Sequence, residues 1–367
     1  AGIIPRAQGE ADRQHSMSAP RLEVDLDKIA HNASTLVARL KTDGISVTGV
    51  TKAFLGDPRI AHAMLRGGVI SLGDSRIENI ELMRQSGIDA QMILIRSPMM
   101  SQADRVVASA DVSLNTEIDV LSALSIAAVK ARKTHGVLLM VELGDLREGI
   151  MQKDIERIVR AVRKLPNITL MGLGSNLACR NGVSPDNRNM AELSALANRF
   201  VPSDNLRSPI VSGGNSSNLD WVFGGGSLGR INNLRLGEAI LLGREVLIRH
   251  PIDGLFTDAF TLIAVVIESK TKPSKPWGMI AQSAFTDHRT CDDLGNINQA
   301  IVAIGRQDTD PKGLVPPVDI GVLDASSDHL VLNAGEKRLS VGSDVPFQLN
   351  YSAVLRSMTS PHVAKTF

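Results

Sequence analysis

The chain has 367 residues, 40 Lys+Arg against 39 Asp+Glu, a formal net charge of +1, 43% hydrophobic and 22% charged residues. These values are those of a folded globular protein of one large or two ordinary domains. Balanced charge without a Lys/Arg block gives no electrostatic footprint for nucleic acid, and no apolar run approaches the roughly 20 residues of a membrane span. Two cysteines, Cys179 and Cys291, cannot build a disulfide framework, so a reducing cytoplasm is the expected compartment.

Residues 1–20 open with AGIIPRAQGEADRQHS, which lacks the apolar core of a signal peptide and reads as a leader or disordered arm. RLEVDLDKI (21–29) reads as a strand entering a helix. From there one grammar repeats, an apolar run, a polar turn and an amphipathic stretch. The runs are ISVTGVTK (45–52), GVISLGD (68–74), AQMILIRS (90–97), DVSLN (111–115), GVLLMVELG (136–144), ITLMGLG (168–174), SPIVSGG (208–214) and NNLRLGEAILLG (232–243). Eight strands alternating with helices over residues 21–248 predict a (β/α)8 TIM barrel, with a doubly wound sheet as the alternative. Residues 249–367 change to FTLIAVVIESK, QAIVAIGRQ, HLVLN and PFQLNYSAV, short β-rich runs broken by Pro, Gly and Asp. They predict a separate β-rich C-terminal domain, to which strand 21–26 can also belong.

In such a barrel the carboxyl ends of the strands carry the chemistry. Lys52 closes the first run, where desolvation lowers a lysine pKa and favours a nucleophilic amine. The plainer reading is a strand-end lysine that snorkels to water. Gly213, Gly214, Asn215, Ser216 and Ser217 follow the seventh run, and Arg235, Gly237 and Glu238 sit in the eighth. Loops at these two places commonly cradle a phosphate, with glycines admitting backbone N–H groups and Ser hydroxyls donating, although the same residues also make ordinary turns. GGGSLG (224–229) matches a dinucleotide motif only in its letters, because Trp221-Val222-Phe223 before it reads as a helix end rather than a strand. A strand-end lysine facing a phosphate cradle suits pyridoxal 5′-phosphate.

Taken in order, VTKAF at Lys52, ELGDLREG (142–149), GLGSNLA (172–178), GGNSS (213–217), RLGEAILLG (235–243) and GRQDTD (305–310) resemble the pyridoxal-phosphate alanine racemase family, nearest its ornithine/alanine racemase-like branch. The resemblance runs from about Arg21 to Val363. It implies an isomerase that interconverts L- and D-amino acids, with alanine or the basic amino acids ornithine and lysine as substrates. Lys52 then stands where the family's lysine bonds the cofactor. Arg147 matches the arginine near the cofactor phenolate, and Asn176 stands where a histidine lies against the pyridine ring. Ser216 with Gly214, Asn215 and the backbone of Gly237 and Glu238 matches the phosphate contacts. Arg235 matches the arginine facing the pyridine nitrogen. A guanidinium does not readily release a proton, so that nitrogen stays unprotonated and the ring is a weaker electron sink, which suits racemisation. The resemblance further implies a head-to-tail homodimer. In it Asp308 and Thr309, in the loop 305–310, reach the partner's substrate, where carboxylates can pair a distal ammonium; Asp308 and Asp310 also read simply as loop caps before Pro311.

The departures are as informative. Alanine racemases bring a tyrosine from the β domain to the face opposite the lysine, but GMIAQSAFTDH (278–288) has Ser283 at about that place, and Tyr351, the single tyrosine, lies too far along. The second proton donor is then Ser283, Asp287, His288 or water; His288 fits by its unperturbed pKa near 6.5. Met140 replaces a lysine that the family often carries. Two further readings remain, a barrel that holds the cofactor without turnover and a decarboxylase or aldolase of the same fold. For the decarboxylase the dipeptide Cys291-Asp292 is the only trace, in a polar stretch typical of an exposed loop.

Overall fold

The computed structural model describes residues 20–201, 209–282, 284–285 and 293–367. Two compact units are present, one spanning Leu26–Thr257 and one combining the described residues up to Asp25 with Asp258–Phe367.

The first unit is a closed parallel barrel of eight strands: β2 Ser46–Val50, β3 Ser71–Asp74, β4 Gln91–Leu94, β5 Val112–Asn115, β6 His135–Val141, β7 Ile168–Ser175, β8 Ile210–Ser212 and β9 Asn233–Leu236. Pairing of Ser46 with Asn233 and Thr48 with Arg235 closes it. The apolar runs are hydrophobic on both faces because both are covered. On β6, Val137, Leu139 and Val141 pack outward with Ile158, Val159 and Val162 of the helix Ile155–Val162. That helix buries Ile155, Ile158, Val159 and Val162, the i, i+3, i+4, i+7 stripe of an amphipathic helix. The alternate residues Leu138 and Met140 join Ile93, Val112, Leu114, Ile95, Met171 and Ile210 in a separate cluster inside the barrel. Each fully buried Leu or Ile contributes roughly 1.5–3 kcal/mol. The interior is apolar on the β4–β7 side only; toward β2, β3, β8 and β9 it holds Thr48, Ser71, Ser212, Asn233 and Arg235, all buried.

The run NNLRLGEAILLG divides into strand Asn233–Leu236 and a short helix Glu238–Leu242. All eight strands point the same way, so every loop that follows a strand opens at one mouth.

The second unit is a mainly antiparallel sheet around the 14-residue strand β10 Phe260–Pro273, which pairs with β11 Asn296–Val302 and β15 Asp344–Leu349. β1 Arg21–Val24 also pairs antiparallel with β10, and β16 Ala364–Thr366 runs parallel to β1. PFQLNYSAV is strand only to Leu349. Asn350 then accepts the N–H of Ala353 at 3.0 Å and caps a helix Tyr351–Thr359, a cap that ends the period-2 pattern.

Candidate active site at the barrel mouth

β2 ends at Val50, and Lys52 begins a tight 3-10 turn, Lys52–Phe54, closed by left-handed Leu55 (φ 56°) and Gly56 (φ 68°). Two bonds from Thr51 hold the turn: its N–H donates to Gly73 O at 2.9 Å and its hydroxyl to Asp74 Oδ2 at 2.6 Å. Asp74, fully buried, also accepts from Arg76 N and the Asn79 amide, each at 2.9 Å. Burial pushes its carboxyl up, against the pull of these bonds. Gly56 is required because a Cβ there would come within 2.9 Å of Asn79. Lys52 itself is half-buried.

After β6, residues 142–149 leave the barrel and return so tightly that Glu142 N donates to Ile150 O and Ile150 N to Met140 O, at 3.0 and 2.7 Å. At the base of this loop Asp145 is 1% exposed. Its Oδ2 accepts Cys179 N and Arg180 N, at 3.1 and 2.9 Å, and its Oδ1 accepts Asn181 N and Val183 N, at 3.1 and 3.3 Å. Burial raises the carboxyl, but four backbone donors outweigh it and hold Asp145 below the ordinary carboxylate range. Arg147 in the same loop is paired with its neighbour Glu148.

Asn176 follows β7, and its Oδ1 accepts from Asn215 Nδ2 at 3.2 Å and from Arg235 at 3.4 Å. Asn215 donates also to Leu177 O at 2.9 Å and accepts Ser217 N at 2.8 Å, joining the loops after β7 and β8. Gly214 (φ 150°) lies so close to Asn218 that a Cβ would stand 2.2 Å from its Oδ1. Ser216 Oγ accepts the N–H of Ala239 at 3.2 Å, which draws the GGNSS loop to the segment Gly237-Glu238 after β9. Burial pushes the Glu238 carboxyl up against the opposing charges of Arg249 and Lys52.

Arg235 is 5% exposed, yet its acceptors are neutral oxygens: Ser212 Oγ at 2.5 Å, Ser175 O at 2.7 Å and Asn176 Oδ1. Burial drives its pKa down to about 10, with the positive charge of Arg147 adding to the shift, and it stays protonated at neutral pH. Two buried groups in the loops after β7 and β8, Asn176 Nδ2 and Ser217 Oγ, have no hydrogen-bond partner among the described residues.

Lys52, Arg147, Asn176, Gly214, Asn215, Ser216, Arg235, Gly237 and Glu238 are thus gathered at the mouth where the strands end. Ser283, Asp287, His288, Cys291 and Asp292 lie outside the described residues. In the second unit Asp308 accepts the Ser360 hydroxyl at 2.7 Å, Thr309 bonds Ser357 at 3.1 Å, and Asp310 accepts Lys312 N at 3.2 Å. Asp310 is thereby a loop cap, and Asp308 and Thr309 direct these bonds inside their own unit. Sequence reasoning gave no role to Asp74, Asp145, Glu148 or Ser212; Asp145 and Glu148 stood in a quoted motif, where an Asp two residues from a functional Arg was the available signal.

The family model described as alanine racemase, N-terminal domain, matches residues 24–244. The chain belongs to the alanine racemase family. Membership makes it an amino-acid racemase, an isomerase. This racemase is 37% identical to the ornithine racemase of Acetoanaerobium sticklandii over 94% of the chain and 99% of that protein. It is 36% identical to the lysine racemase of Thermotoga maritima over 96% of the chain and 99% of that protein. Its fold matches the alanine racemase of Streptomyces coelicolor A3(2), with a TM-score of 0.75, 18% identity and coverage of 97% and 99%. It matches equally the alanine racemase of Bartonella henselae with covalently bound pyridoxal phosphate, with a TM-score of 0.72, 16% identity and coverage of 95% and 99%. No helix among the described residues is long and apolar enough to cross a membrane.

Proposed function

We propose that this racemase holds pyridoxal 5′-phosphate at the barrel mouth through Lys52 and inverts the α-carbon of ornithine or lysine. The observation that carries the cofactor assignment is a buried guanidinium, Arg235, satisfied by neutral oxygens alone, with two unpartnered donors at the same mouth, Nδ2 of Asn176, which Arg235 bonds, and Ser217 Oγ in the loop after β8. Buried polar groups ordinarily have partners, so donors left open around a cation fit an electron-rich ligand. The basic substrates are supported by the ornithine and lysine racemases that align over almost the whole chain.

The chemistry the cofactor supplies when bound is electron withdrawal from the substrate α-carbon. The chain's own residues would do the rest. Lys52 bonds the cofactor and moves the α-proton on the face its amine occupies. Arg235 donates toward the pyridine nitrogen and denies it a proton, and Arg147 compensates the phenolate. Ser216, Ser217 and the backbone N–H groups of Gly237 and Glu238 take the phosphate, while Asn215 holds the two loops in register. The proton on the other face comes from the 283–288 segment, with His288 the best match by ordinary pKa. Asp308 and Thr309 shape the loop offered to the substrate.

The assembly is a head-to-tail homodimer in the cytoplasm. In the second unit Trp277 and Met279 are 92% and 99% exposed, with Ile280 beside them. Such a cluster of large apolar side chains favours cover by a second copy. The test of function is incubation of the purified protein with L-ornithine, L-lysine and L-alanine in deuterium oxide. The proposal expects α-deuteration of both enantiomers of ornithine or lysine; carbon dioxide release without it would mean decarboxylation, and no exchange would leave a cofactor-holding barrel.

A further inference from the structure

We propose that a hydrogen-bond relay through the barrel interior, Ser212–Asn233–Thr48–Ser71, positions the Arg235 guanidinium and leaves its charge uncancelled. The inference rests on the reading that Arg235 faces the ring nitrogen of the cofactor. Ser212 Oγ lies 2.5 Å from Arg235 Nη1 and 2.6 Å from Asn233 Oδ1. A guanidinium only donates, and a hydroxyl has one proton. Ser212 must therefore give that proton to Asn233 and turn a lone pair to Arg235. Asn233 Nδ2 in turn donates to Thr48 Oγ1 at 3.1 Å and Ser46 Oγ at 3.2 Å, and Thr48 bonds Ser71 at 2.8 Å. Turning the Asn233 amide over would set a second donor on Ser212 and leave its proton with no acceptor. The direction of the chain is thus fixed from Ser212 to Thr48, the negative ends of the Ser212 and Asn233 dipoles facing the guanidinium, while Thr48 and Ser71 share a bond in which either hydroxyl can donate.

Ser212, Asn233, Thr48 and Ser71 are buried and occupy interior positions that are apolar on the β4–β7 side. Polar groups there cost stability unless paired, and apolar side chains would fill the space as well. What the relay provides is an acceptor that is neutral. A carboxylate would hold Arg235 in place equally, but it would cancel the charge that keeps the ring nitrogen unprotonated. The three protein acceptors take three of the five guanidinium N–H groups, leaving two for a ligand. Ser212 and Asn233 touch neither substrate nor cofactor in this account; they are positioning residues.

The test uses the full chain loaded with pyridoxal 5′-phosphate, its affinity for the cofactor measured on the apo-protein and its visible spectrum followed with substrate across pH. Ser212→Ala should weaken cofactor binding about tenfold, the scale of one hydrogen bond to a charged group. It should also add, on substrate addition, a band at longer wavelength than the resting cofactor's, the mark of a ring nitrogen that now takes a proton. Ser212→Thr, which keeps the hydroxyl, should restore both. Where Ser212→Ala fails to fold, the isosteric Asn233→Asp decides: it should bring out the same band by cancelling the Arg235 charge. Lower thermal stability with wild-type affinity and spectrum would overturn the relay and leave a structural role. A wild-type protein that binds no cofactor would instead fail the functional reading itself.

Discussion

Asp145→Asn changes one atom, yet it should release the loop that follows β7. Each carboxylate oxygen of Asp145 accepts two backbone N–H groups, Cys179 and Arg180 on one, Asn181 and Val183 on the other. Whichever way an asparagine amide is turned, its NH2 meets two donors, so two bonds are lost and the other two lose their charge. Bonds to a charged acceptor contribute about 1.5–3 kcal/mol each. The bonds here are long and Cys179 and Arg180 are exposed, so about half of that applies to each, roughly 1.5–3 kcal/mol for the pair. At tenfold per 1.4 kcal/mol, the amides of residues 179–183 should exchange with solvent deuterium about 10- to 150-fold faster, while the core of β6 keeps its protection. The carboxyl is held below its ordinary value, so its stabilisation is complete above about pH 4 and fades as pH falls through the lower folded value; the wild-type loop should open only in that acid range. Hydrogen exchange read by mass spectrometry at pH 7 decides. Unchanged protection of these amides in the variant would refute the clamp.

Lys52→Ala should remove the cofactor's visible absorbance while leaving the fold intact by circular dichroism; retained absorbance would move the cofactor bond elsewhere. Ser217→Ala deletes a buried hydroxyl that has no protein partner, so apo-protein stability should stay the same or rise while cofactor affinity falls by about 1–3 kcal/mol, and equal affinity by titration would mean the cradle does not use it. His135 is buried against Ser113, and burial lowers its pKa to about 4. The unfolded chain therefore binds a proton that the folded one refuses between about pH 6.5 and pH 4, stability falls by about 3 kcal/mol on acidification through that window, and His135→Gln should flatten this slope in urea titrations. Trp277→Glu should shift sedimentation toward the monomer, and an unchanged oligomer would place the interface elsewhere.

Much of this molecule was legible before folding. Eight apolar runs with helical stretches between them are a local periodicity, set by which side chains must leave water, and they determined the barrel. The place of Lys52 just past the first run, and of Arg235 in the last, follows from the same count, because parallel strands bring all their carboxyl ends to one mouth. Local pattern also separated the β-rich end from the barrel.

What the sequence did not carry was partnership across distance. Asp145 reads as a turn residue until the loop 179–183, more than 30 residues on, wraps four N–H groups around it. Ser212 and Asn233 read as strand ends, and only the closure of β9 against β2 sets Asn233 beside Thr48, 185 residues earlier. β1 reads as a strand that either domain could take, and only its pairing with β10 places it in the second unit. Asp308 reads either as a carboxylate offered to substrate or as a loop cap, and its bond to the Ser360 hydroxyl is visible only in the fold. The physical reason is common to all four. Hydrophobic period is a property of neighbours in the chain, whereas a buried donor or acceptor must be satisfied by whatever the fold brings near, and only tertiary structure determines that partner.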